Sequence, residues 1–313
     1  SHANNVAVQD MKTSETLQRD VSWNGVKISV PQEWEAKVTD KNRLSFEHGF
    51  EAVLEVSWQK ASAKDITGFI AKTIQHYEQL TGAKLVEYAL PFSGEHPLSP
   101  CTPLCFSTKE KKVPRLLFLF EKTSSLFITI QLFQTQHTPP PWDTISTIAA
   151  TTLDESNYQL WAVQDFQVCV PGIYRLSNYS MAAGLTTLHF QKGKTVIHIC
   201  RIAPASVRLR RNSLDEICAS LLGVDDMSGL TRQLLKNTLY LDRSPGLGHQ
   251  VLMRLKRKNP FLLASLRHDD RNDRLLGVVM EGIHPLDYTT FNHICSSYEI
   301  SPTPKTGPIP ATQ

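Results

Sequence analysis

The segment VKISVPQEW, Val26–Trp34, decides how the chain is organised, because FQVCVPGIY, Phe166–Tyr174, repeats its plan 140 residues later. Both alternate apolar with other residues, as a half-buried strand does, and both reach Val-Pro at the same step. Each then places an aromatic residue three positions past the proline. The likeness continues outward. LSFEHGFEAVLEV (Leu44–Val56) reads beside LHFQKGKTVIHIC (Leu188–Cys200), pairing Leu44 with Leu188, Phe46 with Phe190, Gly49 with Gly193 and Val53 with Ile197. Each copy reads as a hairpin turning at its glycine.

Helical spacing comes next in both copies. Ile66, Phe69, Ile70, Ile74, Tyr77 and Leu80 fall on one stripe that Gly82 can stop. Leu214, Ile217, Cys218, Leu221 and Leu222 do the same, opened by a Ser213/Glu216 capping box and closed by Gly223. A second short helix is expected from Asp226 to Leu235. Strands follow. KLVEYALPF is set against NTLYLDR, and Pro114 and Pro260 open corresponding strands folded back at Lys122–Ser125 and Asp269–Asp273. Each copy ends in a helix started by proline, PWDTISTIAATTL and PLDYTTFNHICSSY. The offset between copies drifts only from 140 to 146 residues, so the reading is one module used twice.

Strands with helices packed on them give an α+β fold class, two tandem copies of an antiparallel sheet flanked by helices. The expected boundaries are a flexible N-terminal arm over residues 1–19, module copies at 20–154 and 158–300, and a disordered Pro-rich tail at 301–313. A chain of 313 residues accommodates two such domains. With 41% hydrophobic and 20% charged residues it is composed like a globular protein. No run of about 18 apolar residues is present to span a bilayer as a helix. Six cysteines in a chain this long do not make a disulfide scaffold, and a reducing cytoplasm is the expected location. The start, SHA without Met, leaves room for a removed export signal.

The order of elements, the early VPQEW and the closing PPPWDTISTI resemble the Mog1/PsbP-like superfamily, in particular its bacterial DcrB-like branch. The second copy departs from the pattern, with Tyr174 where the first has Trp34 and Leu286 where the first has Trp142. The resemblance implies a twisted antiparallel sheet flanked by helices in each copy. It also implies a protein that binds partners, as accessory proteins and chaperones do, and it supplies no catalytic motif to carry over.

Read for chemistry, the residues give few candidates. Cys101 and Cys105 in PCTPLC, with His96 nearby, could form half of a metal site or a redox pair, but no second ligand pair completes a tetrahedron. RSPGLGHQ (Arg243–Gln250) has the glycines of a phosphate loop, yet VLMRLKRK after it reads as a strand, so a hairpin loop is expected. His249 in that loop and His96 in SGEHP occupy what read as matching loops. HDDRNDR (His268–Arg274) lacks the glycine and the distal glutamate of a calcium loop and reads as a turn. No nucleophile elbow is present, and no cofactor is expected.

Charge separates the copies. Residues 20–157 carry 13 Lys and Arg against 16 Asp and Glu, net −3, and residues 158–300 carry 17 against 12, net +5. The basic excess gathers in VRLRR (Arg208, Arg210, Arg211) and in RLKRK, where strand alternation would put Arg254, Lys256 and Lys258 on one face. These six residues are the expected basic face for an acidic protein partner. Nucleic acid is disfavoured, because no aromatics interleave with the cations. Opposite charges could also let the two copies pack as a pseudo-dimer. The reading at this stage is a non-enzymatic, accessory or chaperone-like binding protein. The alternative is a metal- or ligand-dependent enzyme built on the Cys101/Cys105 and His96/His249 loops.

Overall fold

The alternating pattern of Val26–Pro31 does form a strand, with Val26, Ile28 and Val30 buried and the residues between them half exposed. A computed structural model describes residues 18–90, 101–110, 112–133, 140–150, 158–223, 229–256 and 258–301. In the first half, β1 (Gln18–Trp23), β2 (Val26–Pro31), β3 (Glu35–Asp40), β4 (Arg43–His48) and β5 (Glu51–Lys60) lead into α1 (Ile66–Thr81). Then come β6 (Leu85–Tyr88), β7 (Thr102–Thr108), β8 (Pro114–Glu121), β9 (Leu126–Leu132) and α2 (Trp142–Ala150). The second half runs β10 (Tyr158–Val163), β11 (Phe166–Pro171), β12 (Arg175–Ala182), β13 (Leu185–Lys192) and β14 (Thr195–Ile202), then the helices α3 (Ala205–Leu209) and α4 (Leu214–Leu222). It continues with β15 (Thr231–Leu235), β16 (Thr238–Arg243), α5 (Leu247–Leu255), β17 (Phe261–Asp269), β18 (Arg274–Gly282), α6 (Tyr288–Ser297) and β19 (Glu299–Ile300).

The fold is α+β, with three antiparallel sheets. One seven-stranded sheet is ordered β3-β4-β5-β9-β8-β7-β6 and the other β12-β13-β14-β18-β17-β16-β15. Taken in chain order within each half, these two orders are the same. The third sheet is built from both halves, β2-β1-β10-β11-β19, and β1 meets β10 with Ser22 opposite Ala162. The hairpins β1–β2 and β10–β11 thus leave their own seven-stranded sheets and pair edge to edge. Helix α2 packs on β2 and α6 on β11.

One hydrophobic core joins the inner faces of all three sheets, from Val21 and Trp23 through Phe46, Ile130 and Phe190 to Ile294 and Tyr298. Trp23 of the first half lies edge-on to Trp161 and Tyr179 of the second, each at 5.2 Å. Two smaller clusters lie on the outer faces. Phe118 and Phe127 sit beneath α1, and Leu239, Leu241 and Leu266 beneath α3 and α4. An ion cluster ties the central sheet to the second seven-stranded sheet. Asp165, 7% exposed in the β10–β11 turn, accepts hydrogen bonds from Arg201 on β14 (2.6 Å) and Arg274 on β18 (2.9 Å) at one carboxylate oxygen.

Several expectations need correction. VLMRLKRK is helical from Val251 to Leu255, not a strand, and residues 231–235 of the expected second helix form β15. Leu54, not Val53, is opposite Phe46 as Ile197 is opposite Phe190, because the β4–β5 pairing shifts register after Phe46 and Val53 is the extra residue. Strand order sets β6 against β15 and β7 against β16, so KLVEYALPF and NTLYLDR are not counterparts. Pro285 lies ahead of the first turn of α6, whose N-cap is Asp287.

Candidate functional site

A groove of about 600 Å³ lies between α1 and the outer face of the first seven-stranded sheet. Strand alternation supplies its floor. Leu54, Val56 and Trp58 of β5 turn inward to the shared core, which leaves Glu55, Ser57 and Gln59 facing outward beside Thr129 and Gln131 of β9. The wall is α1, ended by Gly82 in the left-handed conformation at φ 70°. Its stripe of Ile66, Phe69, Ile70, Ile74 and Tyr77 rests on the sheet, yet no residue of this 16-residue helix is buried. The helix therefore leaves apolar surface unfilled along its flank, where Phe69 and Phe127 (ring centroids 6.0 Å apart) meet Leu80 and Leu116.

Both signs of charge rim the groove. Arg43 lies 3.5 Å from Glu55, and Lys72 and His76 of α1 and Asp40 of β3 complete the charged lining. Nothing in this arrangement resembles a nucleophile with its base. It is a trough lined by both apolar and ionic side chains.

The cysteines do not support the metal or redox alternative. Cys101 and Cys105 belong to the shared core, Cys105 within β7 itself, and not to an exposed loop. Four residues of extended chain set them roughly 13 Å apart, beyond one ion or a disulfide. Burial pushes their thiols up, to about 11 for Cys101, with Glu121 contributing, and to about 12 for Cys105. At neutral pH they are thiols, not thiolates. His96 lies outside the described residues. His249 is exposed on α5, between β16 and β17, whereas His96 falls between β6 and β7, so the two are not in matching connections. Among the described residues no group of three or more His, Cys, Asp or Glu is set to hold a metal ion.

RSPGLGHQ is not a hairpin loop: Arg243 ends β16 and Leu247–Gln250 are already the first turn of α5, with Gly246 as N-cap, so the segment does connect a strand to a helix N-terminus. The basic residues do not share one strand face. Arg208, Arg210 and Arg211 are exposed on and just after α3, which docks at the β17–β18 turn through Ala205 N–H to Asp273 O. Arg254, Lys256 and Lys258 are exposed on or just past α5, at the other end of that hairpin, whose strands are nine residues each, and there Arg254 donates to Ile283 O.

One constellation went unread in the sequence. His189 and His198 face each other across β13 and β14 with Nδ1 atoms 2.5 Å apart, and His198 Nε2 lies 3.2 Å from Glu281 on β18. These residues line a recess of about 230 Å³ with Cys200, Leu221 and Leu222. Burial, then the neighbouring His198, pulls His189 below the usual histidine range. The hydrogen bond from His198 holds the Glu281 carboxyl low despite burial. The signal was present: a turn at Gly193 places positions 189 and 198 opposite each other.

No family model and no curated protein matches the chain. Among solved structures it is similar to "Crystal structure of MucB in complex with MucA(peri)", at 10% identity and TM-score 0.19, covering 91% of this chain and 86% of that one. It is also similar to "Crystal structure of MucB", at 12% identity and TM-score 0.20, covering 90% and 84%. A third is "The complex structure of Pseudomonas aeruginosa MucA/MucB", at 11% identity and TM-score 0.17, covering 91% and 87%. At such TM-scores the likeness carries no argument for fold or function. No helix of the described residues is long and apolar enough to cross a membrane.

Proposed function

We propose that this chain is a non-catalytic protein-binding scaffold, a tandem duplication of one Mog1/PsbP-like, DcrB-like module whose copies are packed as a pseudo-dimer. The duplication is supported by the shared strand order of the two seven-stranded sheets. The pairing of β1 with β10 adds to it. Ser22 and Ala162 are 140 residues apart, the offset of the repeat at that point, so each stands opposite its own counterpart, as across a two-fold axis.

The observation that carries binding is the groove beside α1. A helix that leaves its apolar stripe half exposed above an unfilled trough retains hydrophobic free energy for a partner segment, at about 25 cal/mol per Å² covered. Arg208, Arg210 and Arg211 supply the contact for an acidic partner. All three are exposed and make no ion pair among the described residues, whereas Arg201, Arg274 and Arg232 are each matched to an aspartate. The reducing cytoplasm remains the proposed location, consistent with six cysteines of which none is in a disulfide.

Photo-crosslinking tests the reading. Benzoylphenylalanine in place of His76 should give one discrete protein adduct in the host, and none when it replaces Lys192 on the second sheet. No adduct at His76 sinks the binding role. An adduct that survives Arg208→Glu/Arg210→Glu/Arg211→Glu unchanged removes the acidic partner from it.

A further inference from the structure

Helix α5 is solvent-exposed where a helix is ordinarily buried. Leu247 is 81% exposed, Val251 55% and Leu255 77%, and their i, i+4, i+8 spacing lines them along one side, with Leu252 (47%) beside them. The opposite side is buried at Met253, and the helix is tied down beside its stripe, where Arg254 donates to Ile283 O at 2.6 Å and Gln250 donates to Pro245 O at 2.8 Å. The strand leading in is braced as well, since Arg243 donates to Asn259 O and Pro260 O, both at 3.0 Å. The helix is thus held rigidly with its aliphatic stripe outward. Arg254, Lys256 and Lys258 cluster at its C-terminal end, all exposed. Among the described residues none of the three forms an ion pair, and Asp242 on the incoming strand bonds instead to Ser244 and Tyr288.

We infer that α5 is a docking surface for an anionic lipid bilayer, its Leu247/Val251/Leu255 stripe entering the headgroup–acyl boundary and Arg254, Lys256 and Lys258 contacting lipid phosphates and carboxylates. Three features favour a bilayer over a protein. The stripe is convex and purely aliphatic, and it lacks the aromatic anchors seated in pockets that mark protein interfaces. Lysine, depleted at protein interfaces, supplies two of the three cations. A fixed short helix with leucines on one side and basic residues at its flank is the arrangement that lies in a membrane interface. Charge complementarity sets the lipid class, each basic residue strengthening attachment about fivefold at an anionic surface. This surface is separate from the groove and from the α3 arginines, so it stands or falls apart from the protein-binding role.

The test is flotation of the full chain with vesicles of phosphatidylcholine alone or with 30% phosphatidylserine. The expected result is binding to the anionic vesicles at least about tenfold stronger than to the neutral ones, weakening as salt rises from 0.1 to 0.5 M. Leu247→Ser/Leu255→Ser and Lys256→Glu/Lys258→Glu should each reduce it about tenfold or more without moving the thermal midpoint, since these side chains are exposed. Arg208→Glu/Arg210→Glu/Arg211→Glu should leave most of it intact. Absence of binding to anionic vesicles overturns the inference. So does binding lost with the α3 arginines but indifferent to Leu247 and Leu255, which would be attraction by net charge alone. A photo-crosslinker at Leu255 that captures a protein in place of lipid overturns it too and makes α5 a protein interface.

Discussion

Replacing Asp165 by alanine should be among the most damaging single changes in the chain, and the reason lies in what it strands. Asp165 faces two guanidinium groups, and the side chains of Arg201 and Arg274 are only 13% and 24% exposed. Arg274 keeps hydrogen bonds to the Asn272 and Asp273 carbonyls, but Arg201 is left largely buried with its carboxylate gone. Breaking a buried pair on one side costs about 3–5 kcal/mol, a large share of the roughly 5–15 kcal/mol a fold retains. For a chain this long that is a fall of about 5–10 °C in Tm. The sign of the pH dependence follows from the carboxyl itself. Burial alone would raise it, but hydrogen bonds and charge from Arg201 and Arg274 prevail and hold it below the usual range. Its stabilising contribution is therefore present above about pH 4 and is lost as pH falls further. The wild type and Asp165→Ala should converge in acid. Removing all three charges, Asp165→Ala with Arg201→Leu and Arg274→Met, should recover most of the loss, since apolar replacement of a buried ion cluster is often neutral. Urea and thermal melts monitored by circular dichroism read all of this. A loss below about 1 kcal/mol for Asp165→Ala, or a triple variant less stable than the single one, would refute the reasoning.

Other consequences are simpler to read. Gly277→Ala should destabilise by about 1–3 kcal/mol, because a Cβ there would collide with Cys200 Sγ. Cys200→Ala in the same chain should restore most of it, and additive losses in denaturant titrations would dismiss the clash. Ser213→Ala removes the oxygen that accepts from Glu216 N–H at 3.2 Å, and should cost about 1 kcal/mol and speed amide exchange at the start of α4. His189, held low by burial and by His198, resists protonation when folded, so stability should decline as pH drops below about 6.5. His189→Gln should flatten that limb of the pH–stability curve, and an unchanged limb would show that the pair does not titrate as described.

Local patterns were readable where one face of an element meets one core. The stripe from Ile66 to Tyr77, the capping box at Ser213 and Glu216, and the turns at Lys122–Ser125 and Asp269–Asp273 are set by residues within a few positions of each other. What failed was non-local or ambiguous. Met253–Lys256 alternates apolar with basic residues closely enough to pass for a strand, and only the burial of Met253 beneath exposed neighbours shows the helical period. The slip between Val53 and Leu54 arises from one bulged residue, which leaves no mark in a pattern of similar aliphatics. The pairing of β1 with β10 depends on a partner about 140 residues away, and no window of sequence contains both. Of the candidate site, the apolar flank of α1 was legible, while the outward-facing residues of β5 and β9 that floor the groove needed the sheet order first.

That edge-to-edge union changes what a break in the chain would do. Cutting between residues 150 and 158 would release no independent halves, because the two pieces would still share a sheet through β1 and β10 and a single core through Trp23, Trp161 and Tyr179. They would behave as complementary fragments, each needing the other to cover an open strand edge. Under the duplication proposed above, a single ancestral copy would have met the same need by pairing with itself, and joining two copies in one chain would make that encounter permanent.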